Sequence, residues 1–205
     1  MPQPSSLTGL LLAGGLSRRM ENQEKAFLPL LDRPMLAHVL ARLTPQVGEA
    51  VLNANGDPDR FKAFRCRVVA DRRQGFLGPL AGVEAAFLTL ACDWLLSVPV
   101  DTPFFPENLA EKMCEVAQEE AMPVVAQSLG RLHPVITLWP RSILPQLTHA
   151  LDTKQLRLHD WLAKYPHKVC FFGENREGED PFFNINTQAD RSQAEERIRR
   201  EEGVV

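Results

Sequence analysis

The chain has 205 residues, of which 44% are apolar and 24% charged, as in a soluble globular protein of one domain. Its formal net charge of −3 argues against a nucleic-acid-binding surface, which usually carries an excess of positive charge. The sequence has no apolar run of about 18 residues, and its polar start lacks the apolar core of a signal peptide. We therefore expect a cytoplasmic protein whose partners include neither a membrane nor a nucleic acid.

A glycine pair follows the first predicted strand, at 7–12, and three cations follow the pair. These residues are Gly14, Gly15, Arg18, Arg19 and Lys25. Glycine lets backbone N–H groups approach a ligand closely, and mobile cations around such a loop suit a polyanion. Neither the G-x-x-x-x-G-K-[ST] nor the G-x-G-x-x-G phosphate motif is present. These residues alone leave two interpretations open, a phosphate-binding loop and a plain turn.

The elements that follow alternate between helix and strand. Apolar spacing and turn residues predict a helix after the turn at 32–34 with its apolar face at 36–47, strands at 49–53 and 67–70, a helix with its apolar face at 80–91, a strand at 94–98, a helix at 106–119 and a strand at 123–127. This alternation has the spacing of βαβ units. It predicts an α/β fold, with a mainly parallel sheet covered by helices on both faces.

The pattern changes after residue 127. Leu129-Gly130-Arg131 lies between two β-like runs and predicts a hairpin, and with it a small antiparallel insertion. Further predicted elements are helices at 141–150 and 155–164, a strand at 168–172, an extended segment at 182–187 and a charged helix at 188–200. We interpret the last helix as mostly a solvated face without chemistry. No linker is evident, so residues 1–205 are expected to form one domain.

Polar residues and a glycine stand at or just past the ends of four predicted strands. They are Gly14, Asn53, Asp71 and Asp101. In mainly parallel sheets, ligands bind beyond the carboxyl ends of the strands. The Asp101 carboxylate, in a Pro-x-Asp-x-Pro frame, suits Mg²⁺, which takes one or two protein carboxylates together with phosphates and waters. A turn or helix-capping aspartate is the other interpretation, and the same two remain open for Asp71.

Asn184 and Asn186 alternate with Phe183 and Ile185. In an extended segment both amides therefore point to one face, and both apolar side chains point to the other. The amides either project into a cleft or satisfy local backbone groups, and spacing alone does not decide between these.

The four cysteines, Cys66, Cys92, Cys114 and Cys170, form no C-x-x-C pair, and the five histidines show no metal-binding spacing. We expect reduced, mostly buried thiols.

Six stretches, in this order, resemble the molybdenum cofactor guanylyltransferases. They are 12–20 together with Lys25, 78–82, 101–104, 133–135, 160–162 and 183–187. The resemblance covers residues from about 7 to 190. It implies a Rossmann-like three-layer nucleotidyltransferase fold and the transfer of GMP from GTP to molybdopterin, with release of pyrophosphate.

The resemblance also implies a GTP-binding half at about 7–105 and an acceptor-binding half at about 106–200. The implied GTP-binding residues are Leu12, Ala13, Gly14, Gly15, Lys25, Asn53, Asp71, Gly78 and Asp101. The implied catalytic residues are Lys25, Asp101 and Arg19, with Asp101 as the ligand of Mg²⁺. The implied molybdopterin-binding residues are Asn184, Asn186 and Arg157. Molybdenum-insertion and molybdoenzyme maturation proteins are candidate partners.

Two departures from the family pattern keep other functions open. Glu21-Asn22 replaces a glycine pair, and Ala26 replaces the glycine after Lys25. One alternative is a nucleotidyltransferase for another small phosphate, such as a sugar 1-phosphate. The other is a non-catalytic homologue that binds the nucleotide or the cofactor.

Overall fold

The computed structural model describes residues 1–13, 25–75, 77–117, 120–175, 177–201 and 203. Seven strands form the main sheet, and two short strands pair separately. The main strands are β1 Thr8–Leu12, β4 Glu49–Asn53, β5 Arg67–Val69, β6 Trp94–Pro99, β7 Val124–Ser128, β8 Arg131–Pro140 and β9 Lys168–Phe172, and the small antiparallel pair is β2 Pro29–Leu30 with β3 Arg33–Pro34. The order in the main sheet is β5-β4-β1-β6-β8-β7-β9.

Among the described residues, six α-helices accompany the sheet. They are α1 Met35–Leu43, α2 Pro79–Thr89, α3 Leu109–Ala117, α4 Leu144–Asp152, α5 Leu158–Leu162 and α6 Gln188–Glu201. Short 3-10 helices occur at Pro4–Ser6, Lys25–Phe27, Thr44–Gln46, Pro58–Phe64 and Arg141–Ile143. Across the described ranges, none of the helices combines the length and apolar character that a membrane crossing requires.

The sheet is mainly parallel, as predicted. β8 runs antiparallel to both of its neighbours, β6 and β7, and the other six strands share one direction. Leu129 and Gly130 form the predicted hairpin turn, and both have a positive φ, as a two-residue turn of this kind requires. The reversed strand therefore lies within the sheet, and its first residues reach the edge where the parallel strands end.

Both faces of the sheet are covered by apolar layers, which gives the expected three-layer arrangement. In β1, Leu10 and Leu12 pack in the layer of α2, α4 and α5, whereas Leu11 packs in the layer of α1 and α3. All five residues of β1 are buried, because a strand covered on both faces needs apolar residues at successive positions.

The layer of α2, α4 and α5 contains an aromatic group. Trp161 stacks on Tyr165 with ring centroids 4.4 Å apart, and it lies 5.8 Å from Trp139. The Trp139 Nε1 donates a hydrogen bond to Ser97 Oγ at 2.9 Å. The buried Trp161 Nε1 has no partner among the described residues.

Some predicted elements are shorter or less regular than expected. The helix expected at 106–119 begins at Leu109, and the helix expected at 155–164 is reduced to α5. Val47 lies beyond α1, because the 3-10 helix with Pro45 follows that helix directly. The segment 182–187, predicted as extended, is irregular and pairs with no strand that the structure describes.

The interpretation of α6 as a solvated face was wrong in part. Ala194 and Ile198 are buried against a small core that contains Leu30 and Met35. Arg197 is also buried, and it is paired with Glu179 at 3.2 Å. This helix is therefore part of the packing that closes the β2–β3 corner of the molecule.

All four cysteines are free, as expected. Cys114 and Cys170 are buried, and burial raises the pKa of each thiol to about 11. Both are therefore protonated at neutral pH.

Candidate active site

The ends of β1, β4 and β6 lie side by side at one edge of the sheet. Leu12 pairs with Asn53 on one side and with Pro99 on the other. The chains stay together past the strand ends, because the Ala13 N–H donates to the Asn53 carbonyl at 3.0 Å. The ends of these three parallel strands therefore meet at one edge of the sheet.

Lys25 joins two of the predicted site regions. Its Nζ donates to Asp101 Oδ2 at 2.7 Å and to Asn186 Oδ1 at 2.6 Å. Asp101 comes two residues after β6, and Asn186 comes just before α6. One ammonium group therefore connects the end of a central strand with Asn186, which lies 161 residues beyond Lys25 in the sequence.

The segment with the two asparagines runs along residues 101 and 102. The Ile185 N–H donates to the Asp101 carbonyl at 2.8 Å, and the Thr102 hydroxyl donates to Asn184 Oδ1. Ile185 is fully buried, and Phe183 is partly buried beside it in the same small core. The predicted division between apolar and amide side chains is thus confirmed, although the segment is not a strand.

A capping box at the start of α6 holds the other end of this segment. Asp190 Oδ2 accepts hydrogen bonds from the N–H groups of Asn186 at 2.9 Å and Thr187 at 2.8 Å. The Thr187 hydroxyl oxygen accepts from the Asp190 N–H at 3.1 Å. Burial alone would raise the pKa of Asp190, but these hydrogen bonds outweigh burial and hold it below its ordinary value. The T-x-x-D spacing is a recognisable sequence signal that we had not used.

A second cluster lies where β4 and β5 end. Asn53 Nδ2 donates to Asp71 Oδ1 at 2.9 Å and to the Val69 carbonyl at 3.1 Å. Asn55 completes the cluster, since its Nδ2 donates to Asp71 Oδ2 at 2.8 Å and its Oδ1 accepts from the Asp71 N–H at 2.9 Å. The sequence predicted Asn53 and Asp71 but not Asn55. The Asn-Ala-Asn spacing at the end of β4 was the available signal.

Two glycines let α2 approach these strand ends. A Cβ at Gly82 would lie 2.4 Å from Asn53 Oδ1 and 2.7 Å from Leu12 Cδ2, closer than real Cβ contacts. Gly78 precedes the helix with a φ of +77°, a conformation that favours glycine. Gly82 is therefore the glycine that adjoins Asn53, and the sequence had not identified it, whereas the predicted Gly78 stands just before the same helix.

Arg157 is the exposed residue that precedes α5. Its side chain is 88% exposed, and its guanidinium lies 4.0 Å from the Asp160 carboxylate. A Cβ at Gly78 would lie 3.7 Å from the carbonyl of Leu156, so the residue before Arg157 is next to the start of α2. Within the described ranges, Arg157 has no hydrogen bond or ion pair with Asn184 or Asn186.

The loop between Asp71 and Gly78 is attached to the helices by an ion pair that we had not predicted. Arg73 donates through two nitrogens to the Glu84 carboxylate at 2.7 and 2.8 Å, and through a third to Asp152 at 2.6 Å. Glu84 is buried in α2, and hydrogen bonds from Arg73 hold its pKa below the ordinary value despite burial. The sequence signal was a single glutamate in the apolar run 80–87, because a buried glutamate needs a partner of opposite charge.

Several predicted residues lie outside the described residues. They are Gly14, Gly15, Arg18, Arg19, Glu21 and Asn22. Ala26, the other departure from the family pattern, is buried in the 3-10 turn that begins with Lys25.

The metal-binding potential of the edge depends on Asp101. Within the described residues there is no group of three or more histidine, cysteine, aspartate or glutamate side chains that could hold an ion. A single carboxylate still fits Mg²⁺ in nucleotide sites, because phosphates and waters commonly supply the remaining ligands. The Asp101 carboxylate therefore fits a Mg²⁺ ion that is also bound by the phosphates of a nucleotide.

Comparison with known proteins agrees with this architecture. The model of the MobA-like NTP transferase domain matches residues 9–169. A solved structure, molybdopterin-guanine dinucleotide biosynthesis protein A from Archaeoglobus fulgidus, superposes with a TM-score of 0.76. The match covers 94% of this chain and 99% of that one at 21% identity, and it shows that the two share a fold.

Two curated relatives are named molybdenum cofactor guanylyltransferase. The relative from Mesorhizobium japonicum is 40% identical over 195 residues, which cover 92% of this chain and 94% of the relative. The relative from Acidiphilium cryptum is 41% identical over 198 residues, which cover 95% and 96%. With identity at this level over nearly the whole length, the chain belongs to the MobA-like NTP transferase family of nucleotidyltransferases.

Proposed function

We propose that this protein transfers GMP from GTP to molybdopterin, giving molybdopterin guanine dinucleotide and pyrophosphate. The observation that carries the proposal is the position of Lys25, whose ammonium contacts both Asp101 and Asn186. Asp101 belongs to the proposed GTP half and Asn186 to the acceptor half. Curated relatives of nearly the same length have the corresponding name.

The reaction needs positioning and charge neutralisation more than a strong base. An acceptor phosphate oxygen attacks the α-phosphorus of GTP, a new P–O bond forms, and the bond to pyrophosphate breaks with its electron pair. The acceptor phosphate is already ionised at neutral pH, so no side chain has to remove a proton. Lys25 neutralises phosphate charge from its place between the two halves, and Arg19 is proposed to assist it.

Asp101 is the proposed ligand of Mg²⁺. When bound, the ion neutralises charge on the α-phosphate and on the leaving group. Asp101 belongs to the proposed nucleotide half and directly adjoins the acceptor segment, because its backbone carbonyl accepts a hydrogen bond from the Ile185 N–H.

The nucleoside is assigned to the cluster at the ends of β4 and β5. Asn53 and Asp71 hold each other in place at 2.9 Å, and the close approach of α2 at Gly82 bounds the same space. Backbone groups of Leu12, Ala13, Gly14 and Gly15, together with Gly78, are proposed to line the GTP site.

The acceptor is assigned to Asn184 and Asn186, whose side chains lie on the Asp101–Thr102 side of their segment. Amide groups offer both donors and acceptors, which suits a pterin or a phosphate. Arg157 is assigned to the same acceptor, and its side chain is exposed beside the Asp160 carboxylate. A cytoplasmic location and molybdenum-insertion or molybdoenzyme maturation proteins as partners accord with this function.

Transfer of label from α-³²P-GTP tests the proposal. We expect labelled dinucleotide with molybdopterin in the presence of Mg²⁺, and none with a sugar 1-phosphate. Transfer to the sugar phosphate alone would assign the protein to another nucleotidyltransferase class. Binding of GTP without transfer to either acceptor would identify a non-catalytic homologue.

A further inference from the structure

Two buried side chains and a partly buried one form a chain of hydrogen bonds beside the acceptor segment. Ser128 Oγ lies 2.7 Å from His133 Nε2 and donates to Asp180 Oδ1 at 2.6 Å. Ser128 is the last residue of β7, and His133 is near the start of β8. Because β8 is reversed, both ends lie at the sheet edge that carries the site.

The number of protons on each group decides which one donates in these hydrogen bonds. A serine hydroxyl has one proton, and a carboxylate only accepts, so the hydroxyl donates to Asp180. The same oxygen must then accept from His133 Nε2, which assigns the Nε2–H tautomer to the imidazole. Burial lowers the pKa of His133, which favours the neutral form of the ring.

The chain of hydrogen bonds ends on the backbone of the acceptor segment. Asp180 Oδ1 also accepts from the Phe182 N–H at 2.9 Å. The buried Phe182 ring lies 4.7 Å from the His133 imidazole and packs edge-on against Phe172 at 5.2 Å. Asn184 follows Phe182 by two residues, so the upstream end of the segment is fixed by both a hydrogen bond and a ring contact.

We infer that Ser128, His133 and Asp180 are positioning residues for acceptor recognition. They hold the start of the segment that carries Asn184 and Asn186, while the capping box at Asp190 holds its end. The inference rests on the proposed function for the identity of the acceptor. It goes beyond that function because, among the described residues, none of the three forms a hydrogen bond with Lys25, Asp101, Asn184 or Asn186. Their effect is confined to the acceptor side, since the Asn53–Asp71 cluster has separate hydrogen bonds.

Ser128→Ala and Asp180→Ala test this role, with two comparison variants. Asp180→Asn retains an oxygen acceptor and should restore the wild-type behaviour that Asp180→Ala loses. Thr148→Val is the matched control. It removes a hydroxyl that donates to a buried carboxylate, Glu84, in the helical layer across the sheet.

Two measurements are made on the full-length variants. One is hydrogen exchange of the backbone amides at 182–187, and the other is the KM for each substrate in GMP transfer. We expect Ser128→Ala and Asp180→Ala to speed exchange in this segment and to raise the molybdopterin KM by roughly 10-fold, the effect of one lost buried hydrogen bond. In both variants the KM for GTP should stay within about 2-fold of the wild-type value. Thr148→Val should change neither the exchange at 182–187 nor the KM for molybdopterin.

Three results would overturn the inference. One is unchanged exchange at 182–187 together with an unchanged molybdopterin KM in Ser128→Ala. Another is an equal rise of both KM values, matched by Thr148→Val, which would indicate a general loss of stability. The third is an Asp180→Asn variant as impaired as Asp180→Ala, since the acceptor oxygen would then not be what matters. If the wild-type protein transfers no GMP to molybdopterin, the proposed function fails, and the exchange measurement alone still decides whether the segment is held in this way.

Discussion

On the proposed nucleotide side of the site, Asn53 is the last residue of β4, Asp71 comes two residues after β5, and the two side chains bond to each other at 2.9 Å. On the acceptor side, Asn184 and Asn186 lie in an irregular segment whose position depends on contacts with Asp101, Thr102 and Lys25. The first arrangement is built into the sheet, and the second is attached to it. Substitutions should therefore act locally on the nucleotide side and over longer distances on the acceptor side.

Asp101→Asn should have the largest effect, because Asp101 belongs to both sides. The substitution keeps the shape of the side chain and removes its charge. We expect turnover to fall by ~10²-fold or more, as for the loss of a charge-stabilising group. The melting temperature should hardly change, since the Ile185 N–H bonds to the Asp101 backbone carbonyl. Near-normal turnover at saturating Mg²⁺ would contradict the metal role.

Lys25→Ala should weaken GTP by roughly 10- to 100-fold, the value of a charge-assisted hydrogen bond, and leave guanosine nearly unaffected. The reason is that the ammonium is assigned to phosphate, not to the nucleoside. Calorimetric titration with each ligand measures the difference. Lys62→Ala is the control, because Lys62 is an exposed lysine paired with Asp59 on a 3-10 helix. Equal affinities of the Lys25 variant and the wild type for GTP would remove Lys25 from the phosphate site.

The double substitution Asn184→Ala with Asn186→Ala separates the two sides. We expect the affinity for molybdopterin to fall by roughly 10-fold, because two hydrogen-bonding amides are lost, while GTP binds as before. Equilibrium binding of each substrate makes the measurement, with the exposed Asn108→Ala as control. Equal loss of both substrates together with a lower melting temperature would instead mean that the two amides only support the local fold.

The smallest expected effect is a pH dependence of folding stability that arises from His133. Burial lowers the pKa of His133 in the folded protein, Arg131 lowers it further, and Asp180 opposes this. Between that value and the unfolded pKa of about 6.5, the unfolded chain binds more protons, so stability rises with pH through this window. The contribution is complete above the unfolded pKa and is lost as pH falls towards the folded one.

Replacing His133 by Gln should flatten this part of the stability curve. Denaturant unfolding at a series of pH values between about 5 and 7.5 compares the two proteins across the titration range of histidine. The other four histidines are present in both, so they cancel in the difference. Parallel curves would show that His133 has the same proton affinity in the folded and unfolded states.

The sequence predicted the positions of the strand ends better than the contacts of the segment 182–187, for a physical reason. Strand ends follow from local apolar patterns, and parallel strands bring their ends to one edge whatever the loops do. The contact of Lys25 with Asn186 instead joins residues 161 positions apart, and the bond from Ser128 to Asp180 crosses 52. Periodicity carries no information on such contacts, and the Asn184 and Asn186 assignment came from family resemblance.

The same distinction explains the missed residues. Asn55 and the Thr187–Asp190 capping box are short-range features that closer attention to spacing would have found. The Arg73–Glu84 pair was marked only by a glutamate in an apolar helix, which indicates a partner without naming it. The shortening of α5 is a tertiary effect that the helical pattern at 155–164 did not contain.

The aromatic group of Trp139, Trp161 and Tyr165 gives one face of the sheet its own near-ultraviolet signal. Trp139 and Trp161 lie in the layer of α2, α4 and α5, whereas the fully buried aromatic rings of the opposite layer include Phe105 and Phe182. The near-ultraviolet circular dichroism of indoles depends on fixed packing and is lost when tertiary contacts loosen. With Trp94 replaced by Phe, the remaining indole signal would come from Trp139 and Trp161 and would follow the packing of the layer of α2, α4 and α5. The chain thus contains its own spectroscopic reporter for the helix that begins next to Arg157.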